Sequence, residues 1–177
     1  GGSVAAYAGA LAAGLAAMVA NLSHSKKGFE DRLAPLERIA VRGQELKARL
    51  LAAVDADTAA FDGLLEAMRL PKGTPEEQAA RERAISRATV AAIEVPLGVL
   101  EGCPDVLELC LEIGEIGLQA SKSDAGTGAQ MARAAAAGAY QNVCINLPGL
   151  TDRARGAALL ARADAAWAAA RDAAAAA

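Results

Sequence analysis

The 177-residue sequence predicts an all-α fold: an antiparallel up-and-down helical bundle of five to six helices, including one long helix. Three observations lead there. The chain is 54% apolar but only 3% aromatic, so alanine carries its hydrophobicity, and alanine both favours helix and lets helices pack closely. Apolar residues recur at three- and four-residue steps, and no segment alternates apolar and polar side chains as a half-buried strand does. Short connections marked by Pro, Gly and Ser separate these stretches, so neighbouring helices run antiparallel. The length suits a single domain over residues 1–177.

The first helix spans about Ser3 to Leu22, with Ser3 placed to cap it. Its run from Val4 to Ala20 is uncharged, but alanine and glycine dominate it, which predicts a buried helix rather than a membrane span or a signal peptide. Ser23–Gly28 is polar and basic and reads as a turn. A long helix from about Pro35 to Leu70 ends at Pro71–Lys72–Gly73. Thr74, Pro75 and Glu77 then form a helix start, with a capping box and proline at the first helical position. This third helix runs to about Leu100, with Pro96 as a kink or break, and Pro104 opens a fourth. Gln119–Gly128 reads as a loop and Thr127–Leu147 as a fifth helix of small residues. Pro148–Gly149 stops it, and Thr151 caps a last helix that fades into an alanine tail with Trp167 as its large anchor.

The formal charge of −3 and pI near 5.3 argue against a nucleic-acid surface. Three cysteines without a CxxC and a single histidine supply no zinc framework, so no metal is expected and the thiols read as reduced core residues of a cytoplasmic protein. Glu-x-x-His pairs, GxSxG, a Walker motif and GxGxxG are all absent.

What remains is a pattern of interrupted stripes. Leu50, Val54, Asp57, Phe61, Leu64 and Met68 lie on one helical face, and a carboxylate there is costly unless paired or employed. Asn142 interrupts the stripe Met131, Ala135, Gly138, Ile145 in the same way, with Asn146 one turn on. These asparagines either fix helix register or offer amide donors and acceptors to a polar heterocycle. Asp124, after Ser123, either complements a helix dipole or approaches a ligand. Lys26 and Lys27, beside His24, are either a solvated pair or a landing patch for an anion such as a glutamate tail.

Several phrases of the chain, in order, resemble the cyclodeaminase domain of the formiminotransferase-cyclodeaminase family, which also includes methenyltetrahydrofolate cyclohydrolases. They are Gly1–Gly2–Ser3–Val4–Ala5–Ala6, Val54–Asp55–Ala56–Asp57 with Ala60–Phe61, Glu66–Ala67–Met68–Arg69–Leu70–Pro71–Lys72, Thr74–Pro75–Glu76–Glu77, Val95–Pro96–Leu97, Ser123–Asp124, and Gly138–Ala139–Tyr140–Gln141–Asn142–Val143 with Ile145–Asn146–Leu147. The resemblance implies a tetrahydrofolate derivative as substrate, no metal, a cytoplasmic homodimer, a formiminotransferase domain or protein as partner, and a place in histidine degradation. For that chemistry Asp57 and Asp124 are the candidate catalytic carboxylates, one for charge stabilisation and the other for proton transfer. Gly2, Ser3, Phe61, Ser123, Asn142 and Asn146 are then folate contacts, and Lys26 and Lys27 polyglutamate contacts. Cyclodeamination to 5,10-methenyl-tetrahydrofolate is the expected reaction, with cyclohydrolysis as the alternative. A non-catalytic dimerisation or scaffold module is the remaining alternative, since the Ala/Gly faces fit tight subunit packing equally well.

Overall fold

The computed structural model describes residues 1–175, and they form five α-helices joined by short turns. These are α1 (Gly2–His24), α2 (Leu33–Arg69), α3 (Pro75–Ile116), α4 (Lys122–Asn146) and α5 (Arg153–Ala175). The last two alanines of the tail lie outside the described residues. Successive helices run antiparallel. In α1 and α2, for example, Gly2 lies beside Asp57 while Gly9 lies against Leu50. The α1 helix occupies the middle of the bundle against α2, α3 and α4, and α5 covers α3 and α4.

Small residues set this arrangement. The inner face of α1 is almost entirely alanine, and Ala6, Ala13, Ala16 and Ala20 are fully buried. A Cβ on Gly128 would lie 2.9 Å from Cys110 Sγ and 3.3 Å from the Ala12 carbonyl oxygen, so α4 reaches α1 only because that position lacks a side chain. Larger groups from α2 and α3, among them Leu36, Ile39, Leu46, Leu50, Leu97, Leu100 and Leu107, fill the remaining core. Burial contributes about 2 kcal/mol for each such side chain. By length and composition α1 could cross a membrane, and its alanine face is packed inside the bundle.

Two predicted boundaries change. The third and fourth helices are one 42-residue helix, with Pro96 and Pro104 inside it. Each proline removes a backbone hydrogen bond, but Ile93, Leu97, Leu100, Val106 and Leu107 are buried on both sides, and that packing keeps the helix continuous. The bundle therefore has two long helices instead of one. The predicted 119–128 loop is also shorter, because Gln119–Ser121 forms a 3-10 turn and α4 starts at Lys122.

The N-caps differ too. The α1 cap is Gly1, and Ser3 lies inside the first turn. Asp152 Oδ1, not Thr151, accepts from the Arg155 amide at the start of α5. The Thr74–Glu77 capping box is present as predicted.

The α2 and α3 helices are much longer than α1, so their connected ends project beyond it as a hairpin arm. From Leu51 to Arg69 only Ala67 is buried, and α3 has no buried residue before Thr89. The predicted apolar stripe of α2 is thus buried only at Leu50. Val54, Asp57 and Leu64 are half-buried, and Phe61 and Met68 are exposed. Asp57 stands where the arm leaves the bundle.

Candidate functional site

At that junction α1, α2, α3 and α4 enclose a cavity of about 420 Å³. The start of α1 contributes Gly1 and Ser3, α2 contributes Asp57, Thr58, Phe61 and Leu64, α3 contributes Ala92, and α4 contributes Asn142 and Asn146. Its volume falls within the range of small-molecule sites, roughly 300–1,000 Å³.

Asp57 closes the start of α1 from outside. Its Oδ2 accepts from the Ser3 backbone N–H at 2.7 Å and from the Ser3 hydroxyl at 2.7 Å. The first N–H groups of a helix have no partner within it, and the dipole there favours a negative group. Asp57 supplies both from a different helix. Gly2 lies directly under the carboxylate, where any Cβ would collide with it. That fixes glycine at position 2 for steric reasons. Gly2 is buried and does not line the cavity, whereas Gly1, which the sequence did not single out, does.

The two asparagines are partly satisfied in a way that reveals what the cavity offers. Asn142 Nδ2 donates to the Gly138 carbonyl at 2.8 Å, one turn back in α4. Asn146 Nδ2 donates across to the Ala92 carbonyl at 3.0 Å. Pro96 explains why that carbonyl is free: a proline has no N–H, so the residue four before it loses its usual helical donor. The helix interruption in α3 thus anchors a side chain of α4.

Each asparagine spends one amide N–H on backbone and keeps its Oδ1 without a donor among the described residues, as Asp57 keeps its own Oδ1. No buried side-chain nitrogen or oxygen among the described residues lacks a partner, so these three oxygens are reachable from the cavity. Each asparagine therefore keeps an acceptor oxygen and a second Nδ2 N–H, so these amides can both accept from and donate to a ligand. Phe61, 58% exposed, offers an aromatic face at the cavity mouth. Thr58 also lines it, with its hydroxyl turned back to the Val54 carbonyl.

The other predicted site residues lie elsewhere. Asp124 and Ser123 are in the first turn of α4, about 27 Å along the helix from Asn142 at 1.5 Å per residue. Lys26 and Lys27 follow the C-terminus of α1, more than about 30 Å from Ser3 by the same measure. One chain therefore brings Ser3, Asp57, Phe61, Asn142 and Asn146 together and leaves Ser123, Asp124, Lys26 and Lys27 at the far end. No group of three or more His, Cys, Asp or Glu among the described residues is placed to hold a metal ion.

Fold and cavity define a helical-bundle domain with a polar cavity of small-molecule size. The chain belongs to the formiminotransferase-cyclodeaminase family, whose sequence model matches residues 1–165. It is 40% identical over 152 residues to the formimidoyltransferase-cyclodeaminase of Gallus gallus, covering 86% of this chain and 28% of that protein. To the methenyltetrahydrofolate cyclohydrolase of Methylorubrum extorquens it is 38% identical over 154 residues, covering 87% of this chain and 74% of that protein. The crystal structure of the formiminotetrahydrofolate cyclodeaminase of Thermotoga maritima superposes with a TM-score of 0.75 at 26% identity, over 97% of this chain and 85% of that one.

Proposed function

We propose that this chain is a folate one-carbon enzyme that closes 5-formimino-tetrahydrofolate to 5,10-methenyl-tetrahydrofolate and releases ammonia. The observation that carries the reading is Asp57 Oδ1, free of donors, in a cavity whose other polar oxygens come from Asn142 and Asn146. A reduced pterin ring presents several N–H donors and a flat face. The amide oxygens accept the former and Phe61 covers the latter.

The protonated formimino group is a cation, and so is the methenyl product. A carboxylate held beside the reacting carbon stabilises both and the transition state between them. The N10 lone pair attacks that carbon, and the π pair moves to the outer nitrogen. The N10 proton passes by way of Asp57 Oδ1 to that nitrogen, the carbon–nitrogen bond breaks, and ammonia departs. Within one chain Asp57 serves charge stabilisation and proton transfer alone, because Asp124 is too far away to share the work.

A second reading, cyclohydrolysis of the methenyl bridge to 10-formyl-tetrahydrofolate, is supported by the Methylorubrum relative, of whose own length the match covers 74%. Water would attack the same carbon under the same electrostatic demand. An assay with each substrate separates the two: formimino-tetrahydrofolate should yield ammonia together with the methenyl chromophore. Methenyl consumption without ammonia formation moves the assignment to cyclohydrolase, and neither reaction overturns both in favour of a non-catalytic module.

Partners follow from the same reading. The match spans about 28% of the Gallus relative, so a formiminotransferase unit would be supplied from outside the matched region or by another protein. The outer face of α1 exposes Val4, Tyr7, Leu11, Met18 and Leu22 with no charge among them, which supports a homodimer. Light scattering tests it. Lys26 and Lys27 lie within reach of only a long oligoglutamate tail. Three unpaired thiols fit a cytoplasmic setting.

A further inference from the structure

A second cavity, about 580 Å³, lies between α4 and the C-terminal half of α5. It opens on the side of α4 opposite Asn142, where Gln130, Arg133 and Ala137 follow one another at helical spacing. Across from them α5 contributes Trp167, Ala170 and Arg171. The family match ends at residue 165, so Trp167 and Arg171 lie beyond it.

Two arginines without a carboxylate partner meet on this one concave surface, whereas Arg49, Arg69, Arg83, Arg87, Arg153 and Arg155, which also have no side-chain partner among the described residues, do not line it. Arg38, Arg42 and Arg162 each grip a carboxylate on another helix: Glu112, Asp105, and the pair Glu94 and Glu101. Arg133 meets only Gln130 Oε1, at 3.4 Å, and Arg171 has no hydrogen bond or ion pair among the described residues. No acidic side chain among the described residues lines the cavity. In an adjoining space of about 340 Å³ that shares Gln130 and Arg133, Glu115 and Lys122 offset each other. Two guanidinium groups on one concave surface focus a positive potential and present paired donors suited to a carboxylate.

The remaining walls are apolar and flat. Trp167 is half-buried, and its indole stacks on Tyr140 with centroids 5.5 Å apart and planes 18° from parallel. The Tyr140 hydroxyl donates to Asp164 Oδ1 at 2.8 Å, which fixes that ring in turn. Alanines supply most of the rest.

We infer that this cavity is a binding site for an aryl carboxylate, its ring against Trp167 and the alanine walls and its carboxylate on Arg133 and Arg171. The inference is independent of the reaction proposed for the Asp57 cavity.

Trp167 is the only tryptophan in the chain, so its emission reports this cavity directly. The whole chain is titrated with benzoate and with 4-aminobenzoyl-glutamate, following fluorescence and heat in parallel. Acetate, which lacks the ring, and benzamide, which lacks the charge, are the controls. A saturable response to the aryl carboxylates alone supports the site. The double variant Arg133→Gln with Arg171→Gln alters two exposed side chains and should keep its circular dichroism, while binding weakens by about tenfold or more. Arg162→Gln and Asp57→Asn should bind as the parent does. Tighter binding of 4-aminobenzoyl-glutamate than of benzoate identifies the ligand as the aryl arm of a folate, and the reverse order identifies a free small anion. The inference is overturned by the absence of any saturable signal in either readout, by unchanged affinity in the double variant, or by loss of binding in Asp57→Asn.

Discussion

The two ends of α1 each carry a serine tied to another part of the bundle, and they are used in opposite ways. At the C-terminal end Ser23 is fully buried. Its hydroxyl donates to the Val19 carbonyl at 2.7 Å and accepts the Leu118 amide at 2.8 Å. Nothing is left over, so the contact is a staple between α1 and the α3–α4 turn. At the N-terminal end Ser3 binds one oxygen of Asp57 twice and leaves the other oxygen to a cavity. A buried polar contact that satisfies every group holds a fold, whereas one with a group in reserve beside open space can act on a ligand.

The strongest way to break this contrast is Asp57→Asn. Asparagine can still accept from Ser3, so the helical spectrum should be retained. Loss of the negative charge should reduce turnover by about tenfold to a thousandfold, the range for one electrostatic contributor. Turnover equal to the parent's would place Asp57 with Ser23, as a structural contact.

Ser23→Ala probes the opposite end. It leaves the Leu118 amide without a partner in a tightly packed turn, and urea denaturation should show a loss of about 1–3 kcal/mol. The folded fraction should keep its kcat. A fall in kcat greater than the fall in folded protein would mean that the two ends communicate.

Between the two ends lie the thiols of Cys103 and Cys110, both pushed up to about 12 by burial. They remain protonated in the folded protein. Cys103 Sγ donates to the Val99 carbonyl, and Cys110 Sγ packs where α1, α3 and α4 meet. In the unfolded chain they lose their protons near 9.0, so above that pH deprotonation favours unfolding. Stability should hold up to about pH 9 and then fall toward pH 12, by about 1 kcal/mol for each thiol at pH 10. Denaturation midpoints measured across that range check it. In Cys103→Ala the decline should be shallower, and an identical decline would assign it to other groups.

The part of the site legible in the sequence is the part made by single helices. Asp57, Phe61, Asn142 and Asn146 interrupt or extend apolar stripes, and a stripe is a property of one helix and its 3.6-residue period. Residues that join the cavity only through packing gave no such signal. Gly1, Thr58 and the Ala92 carbonyl depend on where four helices meet. Asp124 shows the converse. Its sequence context is the same acidic, small-residue setting, yet helix length alone carries it to the far end. The prolines of α3 misled for a related reason. A local rule marks each as a break, while buried neighbours on both sides keep the helix whole.

Pro96 also carries the finest test of the comparison, because it decides whether the N-terminal end keeps its acceptors aimed. Pro96→Ala restores an N–H four residues after Ala92, in position to bond the carbonyl that Asn146 now holds. The α3 helix gains a regular hydrogen bond, so the melting temperature should stay level or rise. Asn146 then shares its acceptor, its side chain is less firmly fixed, and its free oxygen is presented less consistently to the ligand. The expected result is a severalfold rise in KM with little change in kcat, since Asp57 and Ser3 are untouched. Asn146→Ala in the Pro96→Ala background should then add less than it does alone, because the two changes act on one contact. Full additivity would show that the carbonyl freed by Pro96 and the amide of Asn146 are neighbours without being coupled.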